Sequence, residues 1–334
     1  MGNYLNIGNA GFASARKGTY IDKTGMISLI NNTLGTANKL TCVSRPRRFG
    51  KSFAAKMLCA YYDRSCDSRE LFEGLEISRD VSFEKYLNRY NVIYLDITLF
   101  ISCAPDVKNV VQNIKDAVMA EIIRDFPEAA KGTGLAEVMV NAVKATGERF
   151  IMIIDEWDAL FREAKEQTDL QKTYIQFLRG LFKGNEYVEL AYMTGILPIK
   201  KYGEHSAINI FNEYSMIEPK DLGEYFGFTE TEVREQCNEY GADYEEMKKW
   251  YDGYQLDELL IYNPKSVVDA LMWKDFQSYW TGTETYEALK VYIDLNFDGL
   301  KEAVIKMLGN GRCRINTRKF QNDMTTFHTK DDVL

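Results

Sequence analysis

Gly50-Lys51-Ser52 stands between an apolar run, Leu40 to Val43, and a helix-forming run, Phe53 to Tyr62. A turn of this kind between a strand and a helix N-terminus suits phosphate. Successive backbone N–H groups and the positive end of the helix dipole surround the anion. In this reading Lys51 reaches the β and γ phosphates of a nucleotide, and the Ser52 hydroxyl takes a place on Mg²⁺. Arg47, Arg48, Phe49, Gly50 and Phe53 complete the candidate cradle around them. The general pattern asks for a further glycine where this chain has Arg45. A side chain there resists positive φ, so the loop must open differently. Pro46 removes one backbone donor. Arg47 and Arg48 either restore it through guanidinium contacts to phosphate or face solvent.

A second element gives the first its force. Phe150-Ile151-Met152-Ile153-Ile154 ends in Asp155-Glu156. Five apolar residues closed by two carboxylates read as a parallel strand buried on both faces, with its acidic pair at the carboxyl end where open α/β sheets bind ligands. Asp155 would hold Mg²⁺, directly or through water. Glu156 would lie beside the γ-phosphate and orient the attacking water. The plain alternative is a core strand followed by an acidic helix start. Asp158, just beyond, reads as a helix N-terminal charge or a hydrogen-bonding group near the loop.

These groups need a scaffold. Lys39–Ser44, Asn91–Thr98, Phe150–Asp155 and Val188–Thr194 read as strands, with a fifth running through Ile208–Tyr214. Helical runs separate them: Ser52–Asp63, Val107–Asp125, Leu135–Thr146 and Leu170–Gly184. Alternation at this spacing predicts an α/β core with a mostly parallel sheet flanked by helices. The Asn91–Thr98 strand lies between the lysine and the acidic pair in sequence, which resembles the AAA+/RecA-like division of P-loop NTPases. Beyond Glu218 short amphipathic helices are expected at Lys220–Tyr225, Glu230–Tyr240, Tyr244–Trp250 and Pro264–Met272. The expected organisation is a P-loop core over 1–217, a smaller helical lid domain over 218–285, and a C-terminal helical segment over 286–334.

Composition narrows the class. The 334 residues are 46% hydrophobic and 27% charged, the balance of a soluble globular protein. No apolar run approaches the ~18 residues that span a bilayer, and Met1 to Gly18 lacks a secretory pattern. A cytoplasmic protein without a membrane role is expected. The six cysteines form no CxxC pair and only two histidines are present, so a zinc site is not expected. A net charge of −8 argues against a broad nucleic-acid surface.

Several motifs in order carry a family resemblance. Tyr20-Ile21-Asp22-Lys23-Thr24, Arg45 to Ser52, Ile154-Asp155-Glu156-Trp157-Asp158, Trp250-Tyr251-Asp252-Gly253-Tyr254, Tyr262-Asn263-Pro264 and Tyr279-Trp280 are similar to signatures of the bacterial AAA-ATPase-like family. The resemblance runs from about Asn3 to Gly282 and includes the Arg in place of the first P-loop glycine. It implies ATP and Mg²⁺ as ligands. It also implies that Thr194, ending Tyr192-Met193-Thr194, senses the γ-phosphate or the attacking water, although a β-branched strand end reads equally well. Tyr20 to Thr24 lies by the adenine or braces the P-loop. The Trp250–Tyr254 aromatics belong to lid core or stack on bases. Members of the family commonly continue into a PD-(D/E)xK nuclease-like domain. It would begin near or beyond residue 330, and no Asp…Glu-x-Lys strand pair is visible, so nuclease activity is not carried over.

The function expected is Mg²⁺-dependent ATP binding and hydrolysis with Glu156, Lys51 and Thr194 as catalytic groups. Nucleotide state would be coupled to lid movement and to a protein partner or fused effector domain. No arginine finger can be assigned. One alternative is a nucleotide-binding switch that does not hydrolyse. Another is an ATP-gated nucleic-acid processing module, which the net charge does not support.

Overall fold

Strand β1 (Leu40–Ser44) and strand β3 (Phe150–Asp155) are buried at every residue, as the unbroken apolar runs require of strands covered on both faces. With β2 (Asn91–Asp96), β4 (Val188–Gly195) and β5 (Asn212–Tyr214) they form a five-stranded sheet in the order β2-β3-β4-β1-β5. Every pairing is parallel. The computed structural model describes residues 2–199, 209–256, 259–277, 299–308 and 313–314.

The pleat divides the strands between two apolar layers. Phe150, Met152 and Ile154 face one layer with α6 (Ile97–Cys103), α7 (Val110–Asp125), α8 (Leu135–Thr146), α9 (Ala159–Glu163) and α10 (Thr168–Phe182). Ile151 and Ile153 face the other, with α1 (Ala10–Ala15), α2 (Gly25–Asn31), α3 (Lys51–Tyr62) and the one-turn helices α4 (Arg69–Phe72) and α5 (Phe83–Tyr86). The parallel sheet flanked by helices is the α/β core expected from the alternation of runs.

Two strand bounds differ from the sequence expectation, and the strand order adds what sequence order alone does not show. Strand β2 stops at Asp96 rather than Thr98, because the Asp96 carboxylate caps α6 by accepting the Leu99 N–H at 3.1 Å. The strand lying in space between β1 and β3 is β4, while β2 lies at the sheet edge. The fifth strand is confined to Asn212–Tyr214, and Ile208 falls outside the described residues.

The chain divides into two compact units after Gly227 rather than after residue 217. Lys220–Tyr225, grouped above with the lid, is a 3-10 helix of the first unit. It belongs there because Leu222 and Phe226 are buried in the apolar layer that also holds Val43 and Tyr192. The second unit is helical in part: α11 (Glu230–Tyr240), α12 (Tyr244–Tyr251) and α13 (Pro264–Trp273) pack around Val233, Cys237, Met247 and Val267. It also carries a three-stranded antiparallel sheet of β6 (Phe228–Thr229), β7 (Asp252–Leu256) and β8 (Leu259–Tyr262), in the order β6-β8-β7. The four large residues of β8 suit a pleated surface and are too few for a stable helix. Tyr262 is fully buried in this unit and Trp250 and Tyr254 are exposed. Helix α14 (Leu300–Leu308) is the described helix of the C-terminal segment. Tyr279-Trp280 and most of 286–334 lie outside the described residues. Among the described residues no helix is long and apolar enough to cross a membrane.

Candidate functional site

The loop after β1 turns through two left-handed residues, Arg48 at φ 72° and Gly50 at φ 88°. Arg45 is not among the positive-φ residues, so the turn the general pattern makes at its first glycine is made later here. Gly50 at the head of α3 has an open, side-chain-free approach: a Cβ built on it meets nothing within 4 Å. Among the described residues no side chain caps α3. The N–H groups that a helix leaves unpaired in its first turn, at Lys51, Ser52 and Phe53, therefore remain available for an anion.

Arg45 has a different task from the glycine it replaces. It is 1% exposed, and its Nη1 donates to the carbonyls of Ser44 at 3.1 Å and Tyr214 at 2.8 Å. Its guanidinium lies 5.4 Å from the centre of the Phe226 ring. Among the described residues Nε and Nη2 meet no acceptor. Burial pushes the guanidinium down to about 10, with Tyr192 opposing. Arg45 thus anchors the loop to β5 and to the Phe226 segment, a role that the sequence reading did not contain. Arg47 and Arg48 are exposed. Phe49 is buried, with its carbonyl accepting the Gly227 N–H at 3.2 Å, and Phe53 is 58% exposed.

Lys51 and the acidic pair meet. Lys51 Nζ lies 3.7 Å from Glu156 Oε1 and donates to the Pro46 carbonyl at 3.1 Å. Burial pushes the lysine down from its ordinary value, while Glu156, Asp158 and Asp155 pull it back. For Glu156 burial raises the carboxyl, and Lys51 and Arg162 oppose. Each charge is thus tolerable inside the protein because the other is there.

Thr194 connects the Asp155 carboxylate to the Glu156 backbone. Its hydroxyl donates to Asp155 Oδ1 and accepts the Glu156 N–H at 3.3 Å. Asp155 is 2% exposed, and among the described residues its Oδ2 has only a long 3.4 Å contact from the Tyr94 hydroxyl. That oxygen keeps lone pairs for a cation. With the Ser52 hydroxyl the set is hard oxygen and sparse, which fits Mg²⁺ held mainly by nucleotide phosphates and water. Among the described residues no cluster of three or more His, Cys, Asp or Glu could cage a metal without such help.

Asp158 is fully buried, and its Oδ2 accepts the Ile196 N–H at 3.1 Å and the Leu197 N–H at 2.9 Å. It also pairs with Arg162 of α9, whose Nε lies 3.1 Å from Oδ2 and whose Nη2 lies 2.5 Å from Glu156 Oε2. Sequence reasoning missed Arg162. The signal available was its spacing from Asp158, the i,i+4 separation that pairs opposite charges.

Tyr20 to Thr24 does not reach the loop in these contacts. Asp22 accepts the Glu76 N–H at 2.7 Å, Thr24 Oγ1 accepts the Ile77 N–H at 3.1 Å, and Lys23 Nζ donates to the Glu224 carbonyl at 2.6 Å. The motif ties the Glu76–Ile77 and Glu224 segments together.

With the geometry in hand, the model of the family described as "Predicted AAA-ATPase" matches residues 6–203, more than half of the chain. The chain belongs to this AAA-ATPase-like family. A protein of Azotobacter chroococcum mcd 1, called "Uncharacterized protein in vnfD 5'region", is 27% identical over 303 residues. The match covers 84% of this chain and 55% of that protein, so this AAA-ATPase-like chain spans about half its relative's length. Two solved structures are more remote. A DNA replication initiation factor has 12% identity and a TM-score of 0.35, covering 84% of this chain and 71% of the other. The Aeropyrum pernix ORC2 protein, in ADPNP–ADP complexes, has 12% identity and a TM-score of 0.33, covering 89% and 82%. Scores this low carry no weight here, and the architecture rests on the strand order.

Two substitutions test the packing of this AAA-ATPase-like site. A Cβ on Gly195 would lie 2.6 Å from Trp157 Nε1 and 2.8 Å from Asp158 Oδ1. Gly195→Ala is expected to lower unfolding free energy by about 1–3 kcal/mol, read from urea denaturation. Arg45→Met takes the Nη1 donor from the buried Ser44 carbonyl and the part-buried Tyr214 carbonyl, and about 1–3 kcal/mol of stability is expected to go with it. An unchanged urea midpoint for Arg45→Met would mean that the side chain does not anchor the loop.

Proposed function

We propose that the chain is a Mg²⁺-dependent P-loop ATPase. The observation that carries the reading is the meeting of Lys51 Nζ and Glu156 Oε1 at 3.7 Å, beside Asp155 and beneath an uncapped helix N-terminus. Phosphates of ATP would lie along the N–H groups of Gly50 to Phe53, with Lys51 on the β and γ oxygens. Arg47 and Arg48, both exposed on the loop, would add guanidinium contacts from outside. Ser52 and Asp155 would hold Mg²⁺. When bound, Mg²⁺ would supply positive charge against the negative charge that builds on the phosphates.

Glu156 would orient the water for in-line attack. Its carboxylate is gripped on one oxygen and faces Lys51 with the other. Thr194 keeps Asp155 and the Glu156 backbone in register and reports on the phosphate through them. The chemistry is positioning and electrostatic stabilisation, with no covalent intermediate on the protein. The family, described as an ATPase, favours ATP over GTP as the nucleotide. A protein partner or a further domain would complete the site with an arginine and receive the signal of nucleotide state through the second unit. Turnover by the chain alone would then be slow.

A second reading, a switch that holds nucleotide without hydrolysing it, draws support from the loop's attachment. The Gly227 N–H donates to the Phe49 carbonyl at 3.2 Å, and Arg45 packs on Phe226. The phosphate loop therefore touches the segment that leads to the second unit.

Phosphate release from Mg-ATP and nucleotide affinity, measured together, separate the readings. Lys51→Ala is expected to weaken Mg-ATP binding by at least about 100-fold, the loss of a charge-assisted contact. Glu156→Gln is expected to keep affinity within about threefold while release falls by about 10²–10⁴. Binding without release from the wild-type chain would favour the switch. Release unchanged in both variants would sink the site assignment.

A further inference from the structure

Glu156 sits in a backbone conformation that side-chain-bearing residues rarely adopt, with φ 52°. Something must hold it there, and its contacts identify what. The N–H donates to Thr194 Oγ1 at 3.3 Å. The side chain is held by Arg162, whose Nη2 lies 2.5 Å from Oε2. Lys51 faces the other oxygen at 3.7 Å.

Arg162 is itself fixed. Its side chain is 10% exposed, and its Nε lies 3.1 Å from Oδ2 of Asp158, whose side chain has no exposure. The same Asp158 oxygen takes the Ile196 and Leu197 N–H groups at 3.1 and 2.9 Å, which pins it to the chain just after β4. A guanidinium is a planar fork with fixed donor directions. Two of its nitrogens are here assigned to two different carboxylates. One carboxylate is anchored to the backbone, and the other is the candidate water-orienting group.

We infer that Arg162 is the positioning residue for Glu156. It holds Oε2 against the Asp158 anchor so that Oε1 stays on the Lys51 side of the site, where a γ-phosphate and its attacking water would be. The inference rests on the reading of Glu156 as the water-orienting carboxylate. It differs from a structural ion pair in what it governs. A structural pair sets stability, and with it affinity and rate together. A positioning residue sets the rate after nucleotide is bound.

The experiment uses the whole chain and four variants: Glu156→Gln, Arg162→Gln, Arg162→Lys, and the Glu156→Gln/Arg162→Gln double variant. Three quantities are measured for each: melting temperature, Mg-ATP affinity by calorimetry, and phosphate release at saturating Mg-ATP. Arg162→Gln is expected to bind Mg-ATP within about threefold of wild type and to lose at least about tenfold in kcat, an effect confined to the bound state. The double variant is expected to be no slower than Glu156→Gln alone, since Arg162 acts only through that carboxylate. Arg162→Lys keeps the charge and loses the fork, and is expected to recover part of the rate.

Unchanged or increased kcat in Arg162→Gln overturns the inference. So does a loss that adds in full to that of Glu156→Gln, or a fall in affinity as large as the fall in rate. Should Arg162→Gln fail to fold, Arg162→Lys decides: a reduced kcat at wild-type affinity supports positioning, and a wild-type kcat overturns it. Wild-type protein that binds Mg-ATP and releases no phosphate overturns the hydrolytic reading and this inference together. Release that Glu156→Gln abolishes and Arg162→Gln leaves intact overturns the inference alone.

Discussion

The placement of β4 between β1 and β3 is the constraint on which the site depends. The lysine follows β1 and the carboxylates stand at and just after the end of β3, strands that are not neighbours, so they meet across the end of β4. Thr194 and Gly195 are that end. The Thr194 hydroxyl bonds Asp155 and the Glu156 N–H, its carbonyl accepts the Trp157 N–H at 2.8 Å, and the Gly195 carbonyl accepts the Arg45 N–H at 3.1 Å. Two adjacent residues thus hold the phosphate loop on one side and the acidic pair on the other. Gly195 has no room for a side chain because Trp157 and Asp158 fold back over it. A threonine followed by a glycine meets both demands, a hydroxyl that joins and a backbone that lets its neighbours close in.

The charges at the site form a chain of alternating sign: Lys51, Glu156, Arg162, Asp158. All four are mostly buried, and desolvation makes each costly alone. Paired ions inside a protein seldom add stability over a well-packed apolar substitute. Their presence is better explained by preorganisation. On the proposed reading, a site that neutralises phosphate and directs a water needs its dipoles and charges fixed before the ligand arrives, and a low-dielectric interior makes each fixed charge count for more. The same logic accounts for the left-handed Glu156. Ordinary strand geometry would carry its side chain with the strand, whereas the tight turn after Asp155 lets Lys51 and Arg162 reach it from two sides.

The parts of this arrangement that the sequence made legible are those written as local patterns. Phe150 to Asp155 is the strand its apolar run predicts, residue for residue, and Leu135–Thr146 is a helix to the same bounds. Lys51 and Glu156, which the structure brings to 3.7 Å, and Asp155 beside them could be named because the proposed phosphate chemistry asks for those residue types at a strand–helix junction and a strand end. What could not be read was set by tertiary contact. Arg162 on α9 resembles any surface arginine until the fold brings it against Glu156. The β7–β8 pair in the second unit was hidden because an aromatic run such as Trp250 to Tyr254 suits a helix face and a pleated surface alike. The unit boundary was placed early for a similar reason. Lys220–Tyr225 has a helical pattern, and only the burial of Leu222 and Phe226 assigns it to the first unit.

Arg45 shows how a departure from a general pattern can be compensated within the same loop. A glycine at that position would let the loop turn early and bring backbone close to phosphate. Here the left-handed turn moves to Arg48 and Gly50, and the freed position carries the longest donor available. Its guanidinium reaches from the end of β1 to the Tyr214 carbonyl of the neighbouring β5 and lies 5.4 Å from the centre of the Phe226 ring, one residue before the Gly227 whose N–H bonds the Phe49 carbonyl. Both ends of the loop are therefore fastened to one stretch of chain, Tyr214 to Gly227. A loop fastened in this way cannot shift about a phosphate without disturbing Tyr214, Phe226 and Gly227. The substitution exchanges a local backbone freedom for a mechanical connection, and the connection runs from the phosphate loop to the last residues of the first unit.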